Sequence, residues 1–290
     1  MSFHKSAWAT LGSTALFVLL WSAGAIFTKW GLEHASAFAF LIMRFAIALT
    51  VLLIIGISRR QWLPAKGTRW HVACAGFLMV GCYTINFFLA LEHGVNPGVL
   101  ATVLGIQPIL TLVLLERRFP VMRIAGLLLA LGGLALVVYQ SLAHADVRQT
   151  GTLYALGALI SITLGSILQK RIHQTPEHVL PLQYAISLVM CIAFVPFRPF
   201  TFDLSIGFVI PLIYMGIVIS VVAQLLLYRL IRGGNLVNVT SLFYLVPVVT
   251  ALLDYGVFGN ALPLLSLVGM AAILAGLALV FAKVPARRTA

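Results

Sequence analysis

Apolar residues in this chain fall into runs of about twenty, which short clusters of charged and turn-forming residues separate. A helix needs about 20 residues to cross the hydrocarbon core of a bilayer. Inside that core each backbone N–H and C=O must pair within its own segment, so each run is expected to be helical. The runs do not alternate with a period of two, which argues against a β-barrel. The pattern predicts an all-α polytopic membrane protein with ten transmembrane helices, at residues 10–31, 36–57, 70–91, 97–115, 122–142, 151–170, 179–197, 206–228, 235–256 and 261–282.

Charged residues are rare and unevenly distributed. They make up 9% of the chain, against about 25% of an ordinary soluble domain. With the N-terminus in the cytoplasm, the 19 Lys and Arg residues all lie at cytoplasmic helix ends except Lys29, Arg44, Arg148 and Arg198. Because cytoplasmic connections carry the excess of Lys and Arg, this bias favours ten helices with both termini in the cytoplasm. The predicted location is the cell (inner) membrane, as a multi-pass protein.

The formal net charge of +12 is spread over the cytoplasmic connections and the termini. Such a distribution fits membrane topology and anionic lipid headgroups better than a nucleic-acid surface. The predicted partners are therefore the lipid bilayer and a small-molecule substrate, with no nucleic acid. The sequence leaves the oligomeric state open, and a monomer is allowed.

The sequence lacks the motifs of covalent chemistry. It contains no Walker loop, GxSxG elbow, HExxH motif or carboxylate pair. Cys74, Cys82 and Cys191 lie within apolar segments without CxxC spacing, which argues against a disulfide framework and a zinc site. The sequence predicts a protein that is not an enzyme and that has neither a cofactor nor a metal.

The second half of the chain resembles the first. Residues 91–113 read LEHGVNPGVLATVLGIQPILTLV and residues 230–252 read LIRGGNLVNVTSLFYLVPVVTAL, with Gly, Asn and Pro in register. Each half holds five predicted helices. Because five is odd, the second half must enter the membrane from the opposite side, as in the inverted repeats of secondary transporters. The predicted domains are a first repeat at 10–142, a linker at 143–150 and a second repeat at 151–283.

Pro108 and Pro247 occupy equivalent positions within the fourth and ninth predicted helices. A proline in mid-helix has no N–H and clashes with the carbonyl four residues back, here those of Leu104 and Phe243. Both helices are expected to kink there and to leave polar backbone facing the interior. Interrupted helices at corresponding places in two repeats indicate a substrate site, although a kink that serves packing alone is the alternative.

Polar side chains within the apolar runs are candidates for the lining of a central site, because such groups are costly in hydrocarbon. For each one the alternative is an interhelical hydrogen bond, which is worth about 0.6 kcal/mol. The fifth and tenth runs are nearly without polar residues, which indicates a lipid-facing or packing role. The predicted substrate-binding residues are Trp21, Tyr83, Asn86, Gln107, Gln224, Asn238 and Tyr244.

Arg44 is the one fixed charge deep inside a predicted helix, about seven residues from the outer end of the second run. Its guanidinium would suit a substrate carboxylate. It would suit equally well the free carbonyls of a broken helix, which is a structural role. No carboxylate lies at comparable depth, which argues against a proton relay through a membrane-embedded acid.

Two stretches of the sequence resemble a known family. LLWSAGAIFTKWGLEHASAFAFLIMRF at 19–45 and GVLATVLGIQPILTLVLLERRF at 98–119 are similar to the EamA domain of the drug/metabolite transporter superfamily. The second half keeps the central proline but has Asn260 where the family usually has Glu. The resemblance implies a ten-helix, inverted-repeat carrier whose cavity is formed by all helices except the fifth and tenth. It also implies a likeness to exporters of aromatic and neutral amino acids.

The sequence therefore predicts an alternating-access transporter that exports small amphipathic metabolites, with aromatic and neutral amino acids as the expected substrates. A multidrug or nucleotide-sugar carrier of the same architecture is one alternative. Nucleotide sugars would require several basic groups in the cavity, and only Arg44 is available. A membrane scaffold or lipid-handling protein without transport activity is the other alternative.

Overall fold

The computed structural model of the protein describes residues 2–58, 62–116, 120–143, 149–258 and 262–282. Asn260 and residues 144–148 of the predicted linker lie outside these ranges. The described chain is almost entirely helical, and its only β-contact is an isolated bridge between Ala35 and Phe202. The main helices are α1 (Ser2–Leu32), α2 (Ala37–Ser58), α3 (Lys66–Glu92), α4 (Pro97–Leu115), α5 (Val121–Val137), α6 (Gln149–Lys170), α7 (Pro176–Phe197), α8 (Ile206–Gly233), α9 (Leu236–Ser241, Leu242–Tyr244 and Leu245–Phe258) and α10 (Leu264–Phe281).

The predicted fold class is confirmed. Nine of the helices in the described ranges are long and apolar enough to cross a membrane, and α5 is a shorter apolar helix. The predicted fifth segment, 122–142, is too long as a single helix. Val138 leaves helical geometry with φ −100° and ψ 16°, so α5 ends at Val137 and the short helix Tyr139–Ala143 follows.

Two asparagines that align in the repeat start equivalent helices. Asn96 precedes α4, and its Oδ1 accepts hydrogen bonds from the backbone N–H of Gly98 (2.9 Å) and Val99 (3.2 Å). Asn235 precedes α9, and its Oδ1 accepts from the N–H of Asn238 at 3.2 Å. A side chain that satisfies these otherwise unpaired donors stabilises a helix start by about 1 kcal/mol. The repeated asparagines therefore set where both helices begin.

Helices α4 and α9 are interrupted just before their aligned prolines. In α4 a turn at Gly105 and Ile106 separates Pro97–Leu104 from Gln107–Leu115, and Pro108 stands in the first turn of the second piece. In α9 a 3₁₀ turn at Leu242–Tyr244 precedes Pro247. A proline is tolerated in a first turn because its missing N–H has no partner there. The interruption of each helix therefore lies on the N-terminal side of its proline.

Helices α3 and α8 share a second irregularity. Each contains a widened segment with i→i+5 hydrogen bonds, at Phe77–Cys82 in α3 and Tyr214–Ala223 in α8. Such segments rotate the side chains that follow them and occur frequently at functional sites. Each half of the molecule thus contributes one interrupted helix and one widened helix to the interior.

Helices α5 and α10 pack backbone to backbone through four glycines. A β-carbon at Gly126 would lie 2.6 Å from the carbonyl oxygen of Gly276, and one at Gly133 would lie 2.6 Å from that of Gly269. Aligning GGLALV at 132–137 with AGLALV at 275–280 places Gly133 on Gly276 and Gly126 on Gly269. The equivalence therefore maps the contact between Gly126 and Gly276 onto the contact between Gly269 and Gly133, which is the contact pattern of an antiparallel pair related by an inverted two-fold.

The connections between helices form two faces. On the first face, Gln174 accepts a hydrogen bond from Ala65 N (2.9 Å), and Lys170 Nζ donates to the carbonyl of Gly234 (2.6 Å). On the opposite face, Ser36 N donates to the carbonyl of Thr201 (2.9 Å). We call the first of these the basic face, because it carries most of the described cations, namely Lys66, Arg69, Arg123, Lys170, Arg171, Arg229 and Arg232.

Candidate functional site

A cavity of about 160 Å³ lies between the two halves. All main helices except α10 contribute to its wall. It extends from mid-depth, at Pro247 and Gln107, toward the opposite face, where Pro97 begins α4. A protein cavity of about 150 Å³ accommodates a molecule the size of benzene, so this one is suited to a small solute.

The expectation that α5 stays outside the cavity is corrected by the structure. Leu134 of α5 lines the wall, and its side chain packs beside the break in α4, within 2.5 Å of where a β-carbon at Gly105 would lie. The missing side chain at the break brings α5 close enough to reach the interior. The expectation for the tenth helix agrees with the structure, since α10 contributes nothing to the wall within the described residues.

One side of the cavity is aromatic. Trp21 packs edge-on against Phe243 with ring centroids 5.4 Å apart, and Phe17 touches both rings. Phe87 adds a ring that contacts Tyr83 at 5.9 Å. Sequence reasoning missed Phe243 and Phe87 because phenylalanine is unremarkable in an apolar helix. The position of Phe243, four residues before Pro247, was the available signal.

Tyr83 and Gln224 bring polar groups to the cavity from the two halves. Each is the first residue after the widened segment of its helix, α3 or α8. Gln107, the first residue after the break in α4, also lines the wall, and its Nε2 donates to Ser166 Oγ at 3.3 Å. The helix irregularities thus position the polar side chains that face the interior.

Arg44 also lines the cavity and is 8% exposed. Its Nε donates to Ser220 Oγ at 2.8 Å, and Ser220 Oγ donates in turn to the carbonyl of Met215 within the widened segment of α8. The bond from Nε to Ser220 is the only hydrogen bond that the guanidinium makes with the described residues. The ion pairs of the described chain involve other cations near the two faces, namely His34–Asp203, Arg123–Glu116 and Arg229–Glu177.

Asn86 is not on the cavity wall. Its Nδ2 donates to the carbonyl of Cys82 at 2.8 Å, one turn back in α3. Its side chain lies against Gly157 of α6, where a β-carbon would come within 2.6 Å of Asn86 Oδ1. The structure therefore positions Asn86 in the packing of α3 against α6.

Asn238 lies at the basic face, within a polar group that we call the Arg123 cluster: Glu116, Arg123, Asn235 and Asn238. Arg123 donates to Glu116 Oε1 (2.5 Å), Asn235 Oδ1 (2.8 Å) and Asn238 Oδ1 (2.5 Å). The cluster joins the start of α5 in the first half to the start of α9 in the second. Asn238 thus connects the two halves rather than lining the cavity.

A second polar network closes the interior toward the basic face. Gln183 of α7 is fully buried. Its Nε2 donates to Gln169 Oε1 (2.9 Å) and to the carbonyl of Val72 (3.2 Å), and its Oε1 accepts from the hydroxyl of Tyr228 (2.7 Å). We call this the Gln183 network. It joins α3, α6, α7 and α8 with every group of the amide paired.

Tyr244 supports the break in α4 instead of lining the cavity. Its buried hydroxyl donates to the carbonyl of Gly105 at 2.5 Å. Pro108, the other predicted kink residue, is buried within α4 and does not line the cavity, whereas Pro247 does. The two interrupted helices thus contact each other through Tyr244 and Gly105.

Replacing Tyr244 with Phe is expected to lower the free energy of unfolding by about 1–3 kcal/mol, because a buried carbonyl loses its donor. Unfolding of the purified protein in mixed micelles with increasing SDS measures the change. Tyr255→Phe is the matched control, since Tyr255 is 55% exposed. Equal stability of the two variants would contradict a supporting role for the Tyr244 hydroxyl.

Comparison with known proteins agrees with this architecture. The model of the EamA-like transporter family matches residues 8–139 and 149–282. A solved structure described as "Crystal structure of protein" superposes with a TM-score of 0.78 at 20% identity, covering 94% of this chain and 96% of its own.

Curated relatives span nearly the same length. The uncharacterized transporter YvbV of Bacillus subtilis is 24% identical, over 95% of this chain and 92% of its own. Probable amino-acid metabolite efflux pumps of Salmonella typhimurium and Escherichia coli are 24% and 26% identical. The alignments cover 95% and 85% of this chain, and 95% and 76% of those proteins. With both halves matched by the family model, the chain belongs to the EamA-like transporter family.

Proposed function

We propose that this transporter exports small amphipathic amino acids, with aromatic and neutral side chains, by alternating access. The observation that carries the proposal is the cavity between the halves, which combines an aromatic side at Trp21 and Phe243 with polar groups from Tyr83, Gln107 and Gln224. Aromatic side chains bury the apolar part of a ligand, and a few polar groups orient it. The names of the two efflux pumps among the relatives support the same substrate class.

The difference between the two faces supports alternating access. At the basic face, Lys170 Nζ donates to the carbonyls of Ile231 (2.8 Å), Arg232 (3.1 Å) and Gly234 (2.6 Å) at the end of α8. Lys29 is its equivalent, since AGAIFTK at 23–29 aligns with LGSILQK at 164–170. Lys29 is exposed, and its Nζ makes no hydrogen bond with the described residues. The basic face is therefore tied by a lysine contact that the equivalent Lys29 does not make with the described residues.

The Lys and Arg residues of the basic face also support an orientation in the membrane. Lys and Arg accumulate on cytoplasmic connections, so we place the basic face in the cytoplasm. The cavity then extends toward the outside, as expected of an exporter in its substrate-releasing state. Arg44 is the only cation that the described residues contribute to the wall. A single cation gives less positive charge than a nucleotide sugar would require.

Counterflow in proteoliposomes tests the substrate class. Purified protein is expected to give saturable exchange of radiolabelled L-phenylalanine or L-leucine, with competition by other neutral amino acids. Trp21→Ala should lower kcat/KM about tenfold or more, because loss of a large apolar contact costs about 1.5–3 kcal/mol. Trp70→Ala is the matched control, since Trp70 is 77% exposed near the start of α3.

A failure of exchange for every amino acid tested, in protein that remains folded and monodisperse, would refute the proposed substrate class. The direction of net flux is tested separately. Bacterial cells that express the chain should tolerate toxic analogues such as fluorophenylalanine better than cells that express Trp21→Ala at the same level.

A further inference from the structure

We infer that Arg44 binds the carboxylate of the transported molecule. This inference rests on the proposed function and deepens it: the substrate class becomes small apolar or aromatic molecules that carry a carboxylate. Arg44 lines the cavity, and only 8% of it is exposed. It makes one hydrogen bond with the described residues, through Nε. A guanidinium has five donors in a fixed plane, so most of its capacity is uncommitted.

The terminal nitrogens of Arg44 face the cavity. Among the described residues, the only sealed side-chain polar atom without a partner is Nε of Arg123. The Nη atoms of Arg44 make no hydrogen bond with the described residues and are not fully buried, so they are open to the cavity that Arg44 lines. Ser220 holds the Nε edge and thereby fixes the plane of the guanidinium. The two Nη atoms then form the fork that pairs with both oxygens of a carboxylate.

The inverted repeat offers an internal comparison for Arg44. LIMRFAIAL at 41–49 of α2 aligns with LPLQYAISL at 180–188 of α7, so Arg44 and Gln183 occupy equivalent positions. Gln183 has every polar group of its amide paired within the Gln183 network. The same position of the fold is therefore fully satisfied by protein in one half and left with free donors in the other.

The neighbours of Arg44 explain this difference. Gln169, which pairs with Gln183, has Thr28 as its equivalent when GAIFTK at 24–29 is aligned with GSILQK at 165–170. Thr28 lines the cavity, and its hydroxyl lies 3.7 Å from Met215 Sδ instead of pairing with Arg44. Gln183 thus has a protein side chain, Gln169, as its partner. At the equivalent position beside Arg44, Thr28 borders the cavity and does not pair with the guanidinium.

The electrostatics of the position also favour an anionic ligand. A buried charge is costly unless it is paired, and none of the ion pairs in the described chain includes Arg44. A substrate carboxylate would supply the missing counter-charge. The aromatic rings at Trp21 and Phe243 would then receive the apolar side chain, and the oxygens of Tyr83 and Gln224 offer acceptors for the ammonium group.

The test compares amino acids with the amines that lack their carboxylate. Binding of L-phenylalanine and phenethylamine, and of L-leucine and isopentylamine, is measured on wild type, Arg44→Gln, Arg44→Lys and the surface control Arg171→Gln. Arg44→Gln copies the residue at the equivalent position in α7. It should weaken binding of the amino acids about 10- to 100-fold, the range for hydrogen bonds to a charged group. Binding of the amines should be unchanged or stronger.

Arg44→Lys should restore part of the affinity for amino acids, because it keeps the charge but loses the fork. An equal loss for amino acids and amines, or no loss for either, would overturn the inference while leaving the transport proposal standing. If wild type binds none of the amino acids, the proposed substrate class fails instead. Should Arg44→Gln not fold, Ser220→Ala provides the same comparison, because it frees the plane of the guanidinium without removing the charge.

Discussion

The Gly133→Ala variant is expected to lose about 3 kcal/mol or more of unfolding free energy, the upper end of the usual cost of overpacking. A β-carbon at this position would lie 2.6 Å from the carbonyl oxygen of Gly269, 2.8 Å from the amide nitrogen of Ile273 and 3.0 Å from Ala272 Cβ. Two of these atoms belong to the backbone of α10 and cannot move without displacing the helix. Small residues allow such close approach between membrane helices.

Gly132 provides a matched control one residue away. A β-carbon there would meet no atom within 4 Å, so Gly132→Ala should leave stability unchanged or raise it slightly through better helix propensity. Unfolding in SDS mixed micelles and the yield of monodisperse protein measure both variants. If Gly132→Ala and Gly133→Ala behave alike, the backbone contact between α5 and α10 does not stabilise the fold as described.

The pairing of α5 with α10 also explains how much of the fold could be predicted from sequence. Apolar run length and the odd number of helices in each half were enough to predict ten helices in two inverted repeats. The aligned pairs Asn96–Asn235 and Pro108–Pro247 marked where equivalent helices begin and break. Those features are local or repeat in the chain, so a single sequence reveals them. The repeated GGLALV and AGLALV segments were visible too, but not that Gly133 packs on Gly269 and Gly276 on Gly126.

The composition of the cavity was harder to predict, because helical spacing gives the face of a residue without giving its neighbour. Asn86 faces a glycine of α6, Asn238 meets Arg123, and Tyr244 reaches the break in α4. The turn at Gly105 and the widened segments of α3 and α8 rotate the helix faces beyond them. A uniform period of 3.6 residues therefore assigns the wrong neighbours after each irregularity.

Arg44 and Gln183 illustrate the same limit. Both are polar residues within apolar helices, and sequence alone left a structural role open for Arg44. The structure separates the two, since Gln183 is saturated by Gln169, Tyr228 and Val72 whereas Arg44 keeps free donors toward the cavity. The distinction depends on which atoms of the neighbouring helices lie opposite each side chain. The periodicity of the sequence does not contain that information.

The second large expected effect concerns the contacts that tie the basic face. Lys170→Met and Arg123→Met should each increase access from that face to a cysteine at Ser241, a buried position of α9 between the cavity and the basic face. Loss of hydrogen bonds to a charged donor costs about 1.5–3 kcal/mol, which shifts a two-state equilibrium about 10- to 100-fold. The measurement is the labelling rate of Ser241→Cys by an impermeant maleimide, in a background without Cys74, Cys82 and Cys191.

Arg229→Met is the control for loss of a cation at the same face. Arg229 pairs with Glu177, but its side chain is 55% exposed, and exposed ion pairs contribute about 0–1 kcal/mol. Labelling of Ser241→Cys should therefore change little in this variant. A labelling rate that stays at the wild-type level in Lys170→Met and Arg123→Met would refute the idea that these contacts hold the basic face closed.

The equivalent lysine on the opposite face provides a test of sign. If the repeats exchange conformations during transport, Lys29 should take up the contact that Lys170 makes here, when the opposite face closes. Lys29→Met should then disfavour that state and lower the labelling rate of Ser241→Cys, whereas Lys170→Met raises it. General destabilisation would raise the rate in both variants. Opposite signs from two equivalent lysines are expected only if the two faces close in turn by the same kind of contact.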